Sequence, residues 1–68
     1  MNHDKQDMLE YYIKAAENGN EKAQLKLGVM YHVGDGCDVD KEKAKKYYEM
    51  AADQGNIQAQ LNLGILYI

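Results

Sequence analysis

Apolar residues recur along this chain at intervals of three and four, the spacing that lines one side of an α-helix. From about Lys5 to Asn18 the stripe is Met8, Tyr12, Ala15 and Ala16, and Asp4 stands where an N-cap accepts the first free backbone N–H groups. A second stripe, Ala23, Leu27, Met30 and Tyr31, predicts a helix from about Glu21 to Val33. Only Gly19 and Asn20 separate this pair: glycine ends the first helix in a left-handed conformation and asparagine caps the next. Helices joined this tightly fold back on each other. A third helix is predicted from about Lys41 to Gln54, capped by Asp40, with four lysines in its first half forming a solvated face. After a second tight turn at Gly55 and Asn56, a fourth runs from about Ile57 to Ile68. Residues 34–40, GDGCDVD, form the real loop, with two glycines and three aspartates of ordinary turn chemistry.

The pattern is written twice. Tyr11 recurs as Tyr47, Ala15 as Ala51, Gly19 as Gly55, Gly28 as Gly64 and Tyr31 as Tyr67, each 36 residues on. Residues 1–32 and 37–68 share 14 identities in 32 aligned positions. A fixed period of this size is the mark of a repeat array, in which one supersecondary unit stacks on the next. Gly28 in mid-helix costs about 1 kcal/mol relative to alanine, so it needs a compensating use. The expected use is close approach to Ala15 and Ala16 across the hairpin, with Tyr12 and Tyr31 on the flanks. Gly64 is expected to repeat this with Ala51, Ala52, Tyr48 and Tyr67. Tyr12 and Tyr48 read as core, and Tyr11 and Tyr47 as bridges between the first helices of neighbouring hairpins.

The fold class that follows is all-α: antiparallel helix hairpins stacked as a short four-helix α-solenoid. It reads as a single two-repeat domain, 1–36 and 37–68, with no capping helix. The fourth helix is the odd one. Ala59, Leu63, Leu66 and Tyr67 face the third helix, while Ile57, Leu61, Ile65 and Ile68 make a second apolar stripe on roughly the opposite side. The matching positions in the second helix are Glu21, Leu25, Val29 and His32, a more polar set that the second repeat is expected to cover. Terminal repeats of a solenoid normally present a polar outer face.

Composition narrows the function. In 68 residues there are 8 lysines against 11 acidic residues, giving a net charge of −3, and no arginine. Phosphate binding needs clustered cations, so no nucleic-acid partner is expected. No apolar run approaches the roughly 18 residues of a membrane span, and MNHDKQDMLEYY lacks the pattern of a signal peptide, so no membrane partner is expected and the location reads as cytoplasmic. The single Cys37 cannot form an internal disulfide or a four-ligand zinc site. No cofactor or metal is expected.

The motif YY-x-x-AA-x-x-GN-x-x-A-x-x-x-LG-x-x-Y, followed by G-x-G and an aspartate before the next lysine–alanine segment, resembles the Sel1-like repeat, a relative of the tetratricopeptide repeat. The resemblance covers Tyr11–Tyr31, the loop Gly34–Asp40 and Tyr47–Tyr67. Cys37 departs from it, standing where the family usually has a small aliphatic residue. The resemblance implies a curved right-handed superhelix whose concave face, lined by the first helix of each hairpin, holds a partner protein. It also implies an adaptor role without catalytic residues.

Catalytic and metal-binding readings are weak on the residues themselves. A nucleophile built from Cys37 and His32 needs a pocket and a third group to orient the base. Asp35, Asp38, Asp40 and Glu42 resemble a calcium loop, yet the sixth position from Asp38 is Lys43 rather than glycine. The candidate partner surfaces are therefore the stripe Ile57, Leu61, Ile65 and Ile68, and the outward positions Glu10, Lys14, Glu17, Lys46, Met50 and Asp53. The primary expectation is a non-catalytic protein-interaction module that also self-associates through its last helix. A small inhibitor or regulator docking on one target enzyme is the alternative. A penicillin-binding enzyme is a third reading, weakened because the Sel1-like proteins of that kind carry paired cysteines absent here.

Overall fold

Four α-helices account for most of the described residues. The computed structural model describes residues 4–67, and side chains over 7–67. The helices are α1 (Asp4–Glu17), α2 (Glu21–Val33), α3 (Lys41–Asp53) and α4 (Ile57–Leu66). Asp4 thus falls within the first turn of α1 rather than ahead of it. The last helix stops at Leu66 with Tyr67 as its C-cap, short of the expected end, and Ile68 lies outside the described residues.

The two tight turns are built alike. Gly19 and Gly55 take φ of 91° and 92°. Gly19 N–H donates to the Ala16 carbonyl at 3.0 Å and Asn20 N–H to that of Ala15 at 3.0 Å; Gly55 and Asn56 repeat this on Ala52 and Ala51 at 2.9 and 3.1 Å. These are paired Schellman bonds that use up the last free carbonyls of each helix. The asparagines then start the following helices: Ala23 N–H donates to Asn20 Oδ1 at 2.9 Å and Ala59 N–H to Asn56 Oδ1 at 2.8 Å. Asp40 caps α3 through Lys43 N–H at 3.1 Å.

Packing runs α1 on α2, α2 on α3 and α3 on α4, with a lighter contact between α2 and α4; the α2–α3 seam is the most extensive. The core lies along that seam. Leu27, Ala44, Tyr48 and Ala51 are buried, and Tyr48 and Leu27 are the largest fully enclosed side chains. The seam joins the second helix of one hairpin to the first helix of the next, and there the close approach of Gly28 takes place. A Cβ at Gly28 would run into Cδ1 and Cε1 of the Tyr48 ring, with Cγ at 3.0 Å, so the neighbour that needs the glycine is on α3 rather than at Ala15 or Ala16. Tyr47 is likewise drawn to the seam: its ring lies parallel to that of Tyr31, 6.0 Å between centroids and 7° between planes. From α1, the charge of Glu17 also acts on it. Tyr11 remains exposed, edge-on to Tyr12 at 5.5 Å, and bridges no second hairpin.

The lysines of α3 do more than face solvent. Lys43, Lys45 and Lys46 place their ammonium groups 5.2, 5.5 and 5.4 Å from the ring centres of Tyr31, Tyr67 and Tyr47. Each such contact contributes about 0.5–1 kcal/mol at an exposed site.

Candidate functional site

The repeat makes α4 a copy of α2, and the environments of the two helices differ position by position. Ala23 and Ala59 are both buried against their own hairpins. Gln24, Gly28 and Tyr31 are buried beneath α3, while Gln60, Gly64 and Tyr67, 36 residues on, are exposed. Nothing lies within 4 Å of a Cβ built at Gly64. The expected cluster of Gly64 with Ala51, Ala52, Tyr48 and Tyr67 is therefore not formed, and Tyr67 stands 62% exposed instead of facing the core. Beside this vacant notch stand Ile57, Leu61 and Ile65, at 78, 65 and 51% exposed. Ile68, the fourth member of the predicted stripe, is outside the described residues. α4 carries no charged residue from Ile57 to Leu66. Ile57, Leu61 and Ile65 thus form an exposed apolar row on a helix without charge.

The counterpart positions in α2 are only partly covered. Glu21, Leu25, Val29 and His32 are half-buried. What α3 covers is the neighbouring face, Gln24, Leu27, Gly28 and Tyr31, because Tyr48 and Tyr47 must reach the glycine notch and the Tyr31 ring. Glu21 instead accepts a hydrogen bond from Asn56 at 2.8 Å, and Leu25 and Val29 floor an open groove beside the start of α4.

Of the outward positions on the first helices, Glu10, Lys14 and Glu17 on α1 and Lys46 and Asp53 on α3 are exposed. Met50 is half-buried against the core. His32 and Cys37 are not brought together as a nucleophile and base: His32 Nδ1 lies 3.3 Å from the Tyr48 hydroxyl. The half-buried Cys37 thiol donates to the Met30 carbonyl at 3.5 Å. Burial first, then the charges of Asp35 and Asp38, push that thiol above its ordinary range, the opposite of an activated cysteine. Among the described residues no three His, Cys, Asp or Glu side chains gather as metal ligands. No helix among them is long and apolar enough to cross a membrane.

Compared with known families, the chain matches the Sel1 repeat over residues 9–20, 21–56 and 57–68. The chain belongs to the Sel1 repeat family. A search among curated proteins found no matching relative. Sel1 repeats generally mediate protein–protein contact without catalysis. The central match, 21–56, runs from α2 through α3, so the Sel1 unit brackets the seam where Tyr48 meets Gly28 rather than either hairpin.

One polar device of these Sel1 repeats escaped the reading of apolar stripes. Gln24, 3% exposed, donates from Nε2 to the Ala16 carbonyl at 3.0 Å, and its Oε1 accepts from Gln54 Nε2 at 2.8 Å. Gln54 also donates to the Gly19 carbonyl at 2.9 Å, so the pair clasps the two tight turns together. Gln60 makes the same bond to Ala52 at 3.5 Å, at an exposed site with no second glutamine. The signal was present: glutamine at the same place in both repeats, one residue after a buried alanine.

Proposed function

We propose that this chain is a non-catalytic protein-interaction module of adaptor type, and that the uncovered face of α4 is its principal contact surface. The observation that carries the reading is that Ile57, Leu61 and Ile65 stand more than half exposed on a helix without a charged residue. Burying such side chains contributes about 1.5–3 kcal/mol each before the costs of association. The outward residues of α1 and α3 form a second, more polar surface. The reading places the module in the cytoplasm, where an unpaired thiol such as Cys37 persists. It also allows a second copy of the chain among its partners.

The test is a binding experiment with the chain as bait, wild type against Leu61→Lys with Ile65→Lys. Both positions are exposed, so the variant folds with stability within about 0.5 kcal/mol of wild type. Proteins retained by the wild type should be lost from the variant, and the loss should reappear with the purified partner. Equal retention by both baits would remove α4 from the interface.

A further inference from the structure

Resting on the reading of α4 as a contact helix, we infer that its Gly64 face, beside the stripe of Ile57, Leu61 and Ile65, takes the first helix of a second copy of this chain, seated as α3 is seated on α2, so that copies join head to tail. The observations concern the two ends together. The α2–α3 seam is made of a notch at Gly28 that takes Tyr48, a ring at Tyr31 that takes Tyr47, and Gln24, which takes Gln54. The repeat copies every socket residue of α2 into α4, as Gly64, Tyr67 and Gln60, and leaves all three exposed. It copies both tyrosine knobs of α3 into α1, as Tyr11 and Tyr12, and leaves Tyr11 68% exposed. One end of the molecule carries the knobs and the other the socket, and α1 and α4 do not form a packed pair within the chain.

In the join, Tyr12 of one copy enters the Gly64 notch of the next and Tyr11 stacks on Tyr67, continuing the intramolecular seam with the same residue types. The substitutions at this seam are informative. Glu21, half of a polar bond to Asn56 within the chain, becomes Ile57, which faces Asn20 of the next copy, so that bond is not carried over. Gln54 becomes Asn18, a shorter amide facing Gln60, and Ala44 becomes Met8, whose unbranched chain adapts to irregular space. Lys43, which sits over Tyr31, becomes Asp7, so that cation–ring contact is not carried over. Because the two surfaces differ, the contact is heterologous and does not close on itself as a two-fold dimer. It extends as an open stack.

The experiment uses blocked ends. Gly64→Ala fills the notch where space is open in the monomer, and Tyr11→Lys replaces an exposed ring whose loss within its own chain is the edge contact with Tyr12, so each variant keeps its own buried core. Mass is measured by light scattering after size exclusion, with reductant present to exclude Cys37 cross-links. Wild type should grow in mass with concentration beyond a dimer. Each variant alone should stay at 7.7 kDa. Mixed in equal amounts they should give a species of twice that mass, since the Gly64→Ala copy keeps its knobs and the Tyr11→Lys copy keeps its socket. A monomeric wild type at every concentration overturns the inference, and so does an equimolar mixture that stays monomeric. An association unchanged by Tyr11→Lys but abolished by Leu61→Lys with Ile65→Lys also overturns it, while leaving α4 as an interface of another kind. Failure of the broader reading is seen separately, in protein binding that survives the loss of Leu61 and Ile65.

Discussion

The ring of Tyr48 on α3 occupies the space that a side chain at Gly28 on α2 would need. Glycine here is a packing residue for the adjoining hairpin, and its helix-propensity cost of about 1 kcal/mol is offset by burial of a whole aromatic side chain.

Gly28 and Gly64 should therefore respond in opposite directions to the same change. Gly28→Ala must displace Tyr48 and should destabilise the fold by about 1–3 kcal/mol, as overpacking does. Gly64→Ala, with open space at its Cβ, should gain about 1 kcal/mol from propensity. Denaturant unfolding at low protein concentration measures both, and a loss of stability in Gly64→Ala would contradict the open notch.

The glutamine clasp should be energetically coupled. Gln24→Ala removes one of two hydrogen bonds at the Ala16 carbonyl and one of two at the Gln54 amide, each of which keeps its bond to Gly19, and should cost about 0.5–1.5 kcal/mol. In a double-mutant cycle with Gln54→Ala, a coupling of about 0.5 kcal/mol or more is expected, against near additivity for Gln60 with Gln54.

Alkaline pH should unfold the protein through its core phenols. Burial raises the Tyr48, Tyr47 and Tyr31 hydroxyls above their ordinary pKa of about 10. Above about pH 10 the unfolded chain has released these protons while the folded chain still holds them. Stability is thus full below about pH 10 and falls as pH rises through the folded-state values. Unfolding free energies on either side of that pH, followed with phenolate absorbance, check the direction; flat stability would place these hydroxyls in water.

Cys37 should be a sluggish thiol. With burial and two aspartate charges holding its proton, alkylation at neutral pH should be slower than for an unstructured peptide thiol, and its pH midpoint higher. Asp38→Asn should move the midpoint down. A midpoint at or below that of the peptide would mean that the loop does not shield the sulfur.

The helices and their turns were legible in sequence because their signals are local. Asn20, Asp40 and Asn56 cap the helices assigned to them, Gly19 and Gly55 take left-handed backbone, and α2 has the predicted bounds. The exposure of Ile57, Leu61 and Ile65 was legible too, since the repeat assigned Ala59, Leu63 and Leu66 to the inner face. What periodicity along one helix does not contain is which neighbour meets which face. Gly28 was accordingly paired with its own hairpin, Tyr47 with α1 and Tyr67 with the core, although the seam between α2 and α3 determines the first two environments and Tyr67 is exposed beside Lys45. The clasp at Gln24 stayed hidden because a buried amide breaks the apolar pattern used to find the core.

The seam between α2 and α3 also sets an order of events. α2 and α3 each pack on both sides, whereas α1 packs mainly on α2. Amide protons in the middle of the chain should exchange only when the whole molecule opens, and those of α1 should exchange through fraying at far lower cost. Folding is then expected to nucleate across the seven-residue loop, where Leu27 and Tyr48 meet the rest of the core early, and to spread outward helix by helix. With partners so close in sequence, that search is short, and the chain should fold in microseconds to milliseconds.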